Sequence, residues 1–147
     1  MAQSTGFINA TNVKFAAVET GGTIAVINDV KECSVTITTD IRDITNKDDD
    51  GWKNILPGLK SASCAMTAFV AYGNDFNFQE FQNAQLNGTE IDIEIRVGAT
   101  GTGADDGDRV YQMSGFITSV ELSSAFEETQ EFSVNFDING AVTFAQQ

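Results

Sequence analysis

The chain has 147 residues, of which 41% are hydrophobic and 20% charged, and 11 are phenylalanine; this is enough apolar bulk for one packed core and excludes a disordered chain. Eight basic against 21 acidic residues give a net charge of -13, which excludes a surface that grips nucleic acid by neutralising its phosphates. Histidine is absent, which removes Ser-His-Asp and Cys-His nucleophile systems and every histidine metal site, so an enzyme would have to run on carboxylates, lysine or tyrosine.

The opening MAQSTGFINATN lacks the basic and apolar regions of a signal peptide, and its weak periodicity predicts a segment that orders only on assembly. No run in the chain reaches the ~20 apolar residues of a membrane helix, and no membrane partner is expected. After the turn signal ETGGT, the run CSVTITTDI alternates. Cys33, Val35, Ile37 and Ile41 face one way, and Ser34, Thr36, Thr38 and Asp40 the other, which predicts a half-buried strand over 33–44. SASCAMTAFVA predicts a second strand over 61–71, with Cys64, Met66 and Val70 on one face, Ser61, Ser63 and Thr67 opposite, and Phe69 out of pattern. Both cysteines sit inside these strands and read as reduced core residues.

Between the two strands lies NKDDDGWKNILPGLKS, which reads as a long loop over about 45–60. It carries the only tryptophan and the only proline of the chain. The acidic turn Asp48, Asp49, Asp50 and Gly51 is followed by Trp52, Ile55, Leu56, Pro57 and Leu59. A loop that only connects two strands needs none of these apolar groups. Either Trp52 folds back onto its own sandwich, or the loop is an interface, which is what exposed apolar patches usually mark.

Farther along, NDFNFQEFQNAQLNG places Phe78, Phe81 and Leu86 near helical spacing and predicts a helix over 77–86, closed by Asn87-Gly88. EIDIEIRV alternates Ile91, Ile93, Ile95 and Val97 against Asp92, Glu94 and Arg96. The Gly-rich, acidic GATGTGADDGD reads as a solvated loop. RVYQMSGFITSVEL predicts a strand over 110–122 in which Gly115 marks a bulge or a close approach. After the turn SSAFEET, EFSVNFDIN sets Phe132, Val134, Phe136 and Ile138 against Glu131, Ser133, Asn135 and Asp137 in a strand over 131–139. The fold class is mainly β: an antiparallel β-sandwich or barrel of about seven strands with one short flanking α-helix, in a single domain spanning 1–147.

Several chemical readings fail on spacing. With Gly51 as the sixth residue of a calcium loop, Asn46, Asp48 and Asp50 fall on ligand positions, but the closing Glu is replaced by Pro57. GATGTGADDG lacks the Lys-Ser/Thr ending of a phosphate loop, and its charge repels phosphate. Acidic pairs such as Glu127-Glu128 arise by chance in a chain this acidic and do not by themselves make a glycosidase. No catalytic residue, cofactor or metal is expected. A monomeric β-sandwich binding module would need an aromatic platform, for which only Trp52, Tyr72 and Tyr111 are natural candidates.

The stretch DITNKDDDGWKNILPGLKSASCAMTAF resembles phage major tail tube proteins of the TP901-1 type, where a strand reaching D-x-T is followed by an acidic turn, GW, LPG and a second strand of small residues. SGFITSVELSSAFEETQEFSVNFDINGAVTF is similar to the ending of the same family, and the resemblance spans most of Lys14 to Phe144. It is poorest in the N-terminal segment and in GATGTGADDGDR. The resemblance implies a tail-tube fold and a structural role, in which the chain assembles with itself into stacked hexameric rings that form a conduit for the genome. It implies tape-measure, distal tail and tail terminator proteins as partners, a sheath protein if the tail is contractile, and DNA in transit without specific binding. It places the protein in the virion, assembled in the bacterial host cytoplasm. The same subunit could serve a gene transfer agent, a tailocin or a contractile injection system. The loop from Asp48 to Leu59 would then dock subunits and rings. In a closed ring the lumen would be lined by Ser34, Thr36, Thr38, Asp40, Ser61, Ser63, Thr67, Glu131, Ser133, Asn135 and Asp137.

Overall fold

The computed structural model describes residues 13–27, 29–48, 50–71, 77–97, 99–100, 103–104 and 109–146. In chain order the elements are β1 (Lys14–Glu19), β2 (Ala25–Ile27), β3 (Val30–Asp43), β4 (Ile55–Phe69), α1 (Phe78–Asn87), β5 (Ile91–Arg96), β6 (Ala99–Thr100), β7 (Gly103–Ala104), β8 (Arg109–Ser123), β9 (Glu131–Ile138) and β10 (Thr143–Gln146). All but β6 and β7 belong to one antiparallel sheet of order β2-β1-β5-β8-β9-β4-β3, with β10 also pairing β8. β5, β8 and β9 fall where the sequence places them, whereas β3 and β4 begin earlier than the expected 33 and 61, at Val30 and Ile55. β1, β2 and β10 were not legible there, and the stretch read as a solvated loop after Val97 contains the short ladder β6–β7.

The long strand β8 divides the sheet into two layers. Its first half pairs β5 from Val110 to Gly115 and β10 from Arg109 to Gln112, and its second half pairs β9 from Gly115 to Ser123. The layers fold over one another, so that Phe15 of β1 and Phe136 of β9, three strands apart in sheet order, lie 6.2 Å apart between ring centroids. Gly115 sits at the switch: a Cβ built there would lie 2.3 Å from the Asp137 carbonyl oxygen. The glycine therefore marks the close approach that the sequence suggested. The bulge is two residues on, where β8 pairs Ile117 with Phe136 but Ser119 with Asn135. The extra residue, Thr118, resets the alternation, so that Ile117 and Val120 both turn to the core face while Ser119 and Glu121 turn away.

The helix closes the core. Asn77 is its N-cap, accepting from the Gln79 N–H at 3.0 Å, while Glu80 accepts from the Asn77 N–H at 2.8 Å. Gly88, in the left-handed region at φ 66, ends it. Ten residues are too few for a stable helix in water, so the anchor is packing. Phe81 stands 5.9 Å from Phe132 and 6.0 Å from Phe136, and Ala84 is buried beside it. Leu86, near helical spacing with Phe78 and Phe81, is exposed, because it faces away from both layers.

Substituting Gly115→Ala should cost roughly 3 kcal/mol of unfolding free energy in urea titrations, since backbone rather than a flexible side chain blocks the new methyl. Gly140→Ala, with open space but φ 89, should cost only about 1 kcal/mol. Equal losses at the two positions would remove Gly115 from its place as the layer switch.

Candidate assembly interface

The register of the second layer brings the polar residues together. Across β3 and β4, Ser34 pairs Ala65, Thr36 pairs Ser63 and Thr38 pairs Ser61. Across β4 and β9, Ser63 pairs Asp137, Ala65 pairs Asn135, Thr67 pairs Ser133 and Phe69 pairs Glu131. Ten of the eleven residues assigned to a lumen from sequence thus share one face of the layer β8-β9-β4-β3, opposite the core. Hydroxyls and amides tie the face across strands: Thr38 to Ser61 at 2.7 Å, Thr67 to Ser133 at 3.2 Å and Asn135 to Ser119 at 2.8 Å. Lys31 pairs Glu131 at 3.0 Å, and this bond raises the lysine pKa. The eleventh residue, Asp40, lies at a bulge, where Thr39 pairs Lys60 but Ile41 pairs Pro57. Sequence reasoning missed what β8 adds to the face, namely Phe116, Ser119, Glu121 and Ser123. The signal was present, since a bulge at Thr118 is what breaks strict alternation in FITSVELS.

The expected loop over 45–60 is only partly a loop. Ile55, Leu56, Pro57 and Leu59 belong to β4, and the connection runs from Ile44 to Asn54. Proline is accommodated because this part of β4 is paired on one side only, by β3. β9 reaches no farther along β4 than Ser63, so Thr38–Asp43 and Ile55–Ser61 project as a two-stranded arm of about 20 Å. Its end is pinned by Thr45, whose hydroxyl accepts from the Asn54 N–H at 2.7 Å and whose N–H donates to Asp43 at 2.9 Å. The hydroxyl and N–H of Thr45 hold the Asp43 carboxyl below the usual range. Asp48 donates its N–H to Asn46, and Asp50 and Gly51 turn the chain at positive φ. Asp49 lies outside the described residues, as do Tyr72, the N-terminal dozen, and Asp105, Asp106 and Asp108 of the Gly-rich acidic loop.

The arm is apolar and uncovered. Trp52 is 80% exposed and Leu59 78%, so Trp52 does not fold back onto its own sandwich. Ile55 and Leu56 are exposed as well. Ile37 and Ile41, read as core-facing, are exposed too, because the arm runs past the first layer and has nothing to pack against.

Two further features set what the surface can do. β3 is paired only by β4, and β8 beyond Gly115 only by β9, so among the described residues this layer ends in two unpaired edges. With β8, β9, β4 and β3 each antiparallel to the next, these two edge strands run antiparallel to each other. The chemistry of a catalytic or metal centre is weak. Among the described residues no three His, Cys, Asp or Glu side chains gather to hold a metal. Burial pushes the Cys64 thiol up to about 12, with a smaller push from Cys33, and burial raises Cys33 itself. Both thiols are therefore held protonated and are poor nucleophiles.

Residues 13–144 match the family described as phage tail tube protein. The chain belongs to that family. Among solved structures, it is similar to the tail of an empty gene transfer agent particle with C6 symmetry, at 18% identity, over 93% of this chain and 98% of that one, with a TM-score of 0.75. It is similar to the SPP1 tail tube at 16% identity, over 95% and 80% of the two chains, with a TM-score of 0.75. It is also similar to a chain of the six-fold symmetrised anti-feeding prophage baseplate, at 6% identity, over 97% of both chains, with a TM-score of 0.69. These likenesses show the tail-tube fold. No curated protein matches the chain by sequence.

The raised thiol pKa makes a pH prediction for this tail tube protein. A folded value of about 12 against an ordinary 9.0 means that the native state keeps its proton longer than the unfolded chain. The stabilisation from Cys64 is full below pH 9 and is lost as pH rises through about 12. Unfolding free energy should fall over that window in wild type and fall less in Cys64→Val. Equal slopes would show that the thiol is solvated.

Proposed function

We propose that this tail tube protein builds its tube wall by closing the layer β8-β9-β4-β3 edge to edge into a six-membered ring, with the polar face turned to the channel. The observation that carries the reading is the pair of unpaired antiparallel edges on one layer. Strand edges of this length are liabilities in a monomer and templates in an assembly. Joining β3 of one copy to the second half of β8 of the next continues the antiparallel order around a ring without a break. Such a contact is head-to-tail, and a rotation that closes gives a cyclic oligomer. The C6 symmetry of the gene transfer agent tail supports six copies.

In that ring Ser34, Thr36, Thr38, Ser61, Ser63, Thr67, Ser133, Asn135 and Asp137 line the lumen, joined by Ser119 and Glu121. The lining is short, hydroxyl-rich and acidic, and Lys31 is neutralised by Glu131. DNA meets like charge there and passes without binding. The arm, with Trp52, Ile55, Leu56, Pro57 and Leu59, docks on other copies. The role is structural rather than catalytic, and the protein resides in the tail of a virion or phage-like particle assembled in the host cytoplasm. Tape-measure, distal tail and terminator proteins are its further partners, with a sheath if the tail contracts. The order of motifs from Lys14 to Phe144 supports the TP901-1 type. The likeness to a gene transfer agent tail supports the same conduit role in a particle of that kind, and neighbouring genes distinguish the two.

Trp52→Ala tests the docking arm. Because Trp52 is 80% exposed, the variant should melt within about 2 °C of wild type. Losing a buried interface aromatic should weaken assembly by about 2 kcal/mol per contact, roughly 30-fold in dissociation constant by sedimentation. A variant that unfolds, or that assembles as wild type does, removes Trp52 from the interface.

A further inference from the structure

The arm and one other exposed aromatic lie at opposite ends of the same layer. β4 runs from the arm at Ile55 to Phe69, where it meets Glu131, the first residue of β9. The β8–β9 turn is therefore at the far end from Trp52. At its tip Phe126 is 92% exposed, more than any other large apolar residue described. The turn is built rather than loose: Glu128 N–H bonds the Ala125 carbonyl at 3.3 Å, Gln130 reaches Ser124 at 3.4 Å, and Val70 N–H bonds the Gln130 carbonyl at 3.0 Å. Glu127 holds a left-handed backbone at φ 62, uncommon for a residue with a side chain.

Charge divides along the same axis. Arg42, Lys47, Lys53 and Lys60, half of the chain's 8 basic residues, lie on or beside the arm, in a stretch of sequence that also carries Asp40, Asp43, Asp48, Asp49 and Asp50, and Lys53 helps hold the Asp43 carboxyl low. The turn end carries Glu121, Glu127, Glu128 and Glu131, and its one lysine, Lys31, is already paired. Exposed apolar groups among four basic and five acidic residues lie at one end, and an exposed phenylalanine among four glutamates lies at the other. Surfaces that complement each other at opposite ends of one molecule join head to tail, and such contacts repeat as an open stack.

We propose that the β8–β9 turn is the receptor for the arm of a second copy in the next ring, with Phe126 packing against the apolar residues around Trp52, and Lys53 at the end of the arm reaching Glu127 or Glu128. The proposal rests on the ring reading above and assigns the contact that stacks rings. The occupant is a second copy of this chain because the arm supplies exposed apolar surface for Phe126 and lysines for the carboxylates beside it.

Carbodiimide cross-linking of wild-type tubes tests it directly. The reagent joins a lysine amine to a carboxylate as an amide and takes up the released water as urea. Within one chain even Lys60, the arm lysine nearest the turn, lies seven to nine residues of β4 from the level of Glu121 and Glu131, about 25 Å, so a zero-length link between the two ends is intermolecular. Linked peptides joining 47–60 to 121–131 are expected from tubes and not from monomer, and their absence from well-formed tubes would overturn the proposal. F126E is the second arm. It should melt as wild type does and form rings, seen by negative stain, that fail to stack. Wild-type stacking in F126E, a variant that does not fold, or loss of rings along with tubes would each overturn it. If wild-type protein forms neither rings nor tubes, the ring reading itself fails, an outcome distinct from rings that stack without Phe126.

Discussion

The contact between Gly115 and the Asp137 carbonyl fixes how one sheet becomes two layers. β8 has to leave β5 and take up β9 within a single residue, and only a residue without a Cβ lets β9 approach closely enough to do so. Once that switch is made, Phe15 and Phe136 meet across the core, and the ten-residue helix has a floor for Phe81. Among the described residues, the same switch leaves β8 beyond Gly115 paired by β9 alone, with its other edge without a strand partner. The feature that closes the core of one subunit is therefore also the feature that leaves it an open edge.

The arm shows why this chain is built for company. An isolated two-stranded ribbon is marginal in water, and this one exposes Trp52, Leu59, Ile41 and their neighbours. Covering those side chains is worth on the order of 5–10 kcal/mol per arm. Association costs a comparable amount in lost rigid-body freedom. One arm alone therefore holds a pair of subunits weakly, while a ring in which every subunit gives and receives a contact holds firmly. The net charge of -13 opposes non-specific association in the same way.

How much of this the sequence carried depends on the environment of each strand. β3, β4, β5 and β9 bury one face or part of one, so their alternation is plain. β1 is not legible because Phe15, Ala16 and Ala17 are all buried in succession, which leaves no alternation to read. The helix was legible from its closing Asn-Gly, and the capping pair Asn77 and Glu80 was there to be found. The polar face opposite the core is legible on β3, β4 and β9, except at the Asp40 bulge, and is lost on β8, where the Thr118 bulge shifts the count. The arm was half legible. Trp52 and Pro57 stood out by composition, but alternation reports only that a face is apolar, not whether another layer covers it. Ile37 and Ile41 look like core for that reason and lie in the open. Phe126, inside a segment that reads as an ordinary turn, gave no periodic signal at all.

The central claim is that the layer β8-β9-β4-β3 closes edge to edge around a channel. A helical reconstruction of tubes grown from the purified protein measures this directly. The account predicts a continuous antiparallel barrel in which β3 of each subunit hydrogen-bonds the second half of β8 of its neighbour, with Thr36, Ser63 and Asp137 facing the lumen. A wall in which either edge remains unpaired, or in which those side chains face outward, would contradict it.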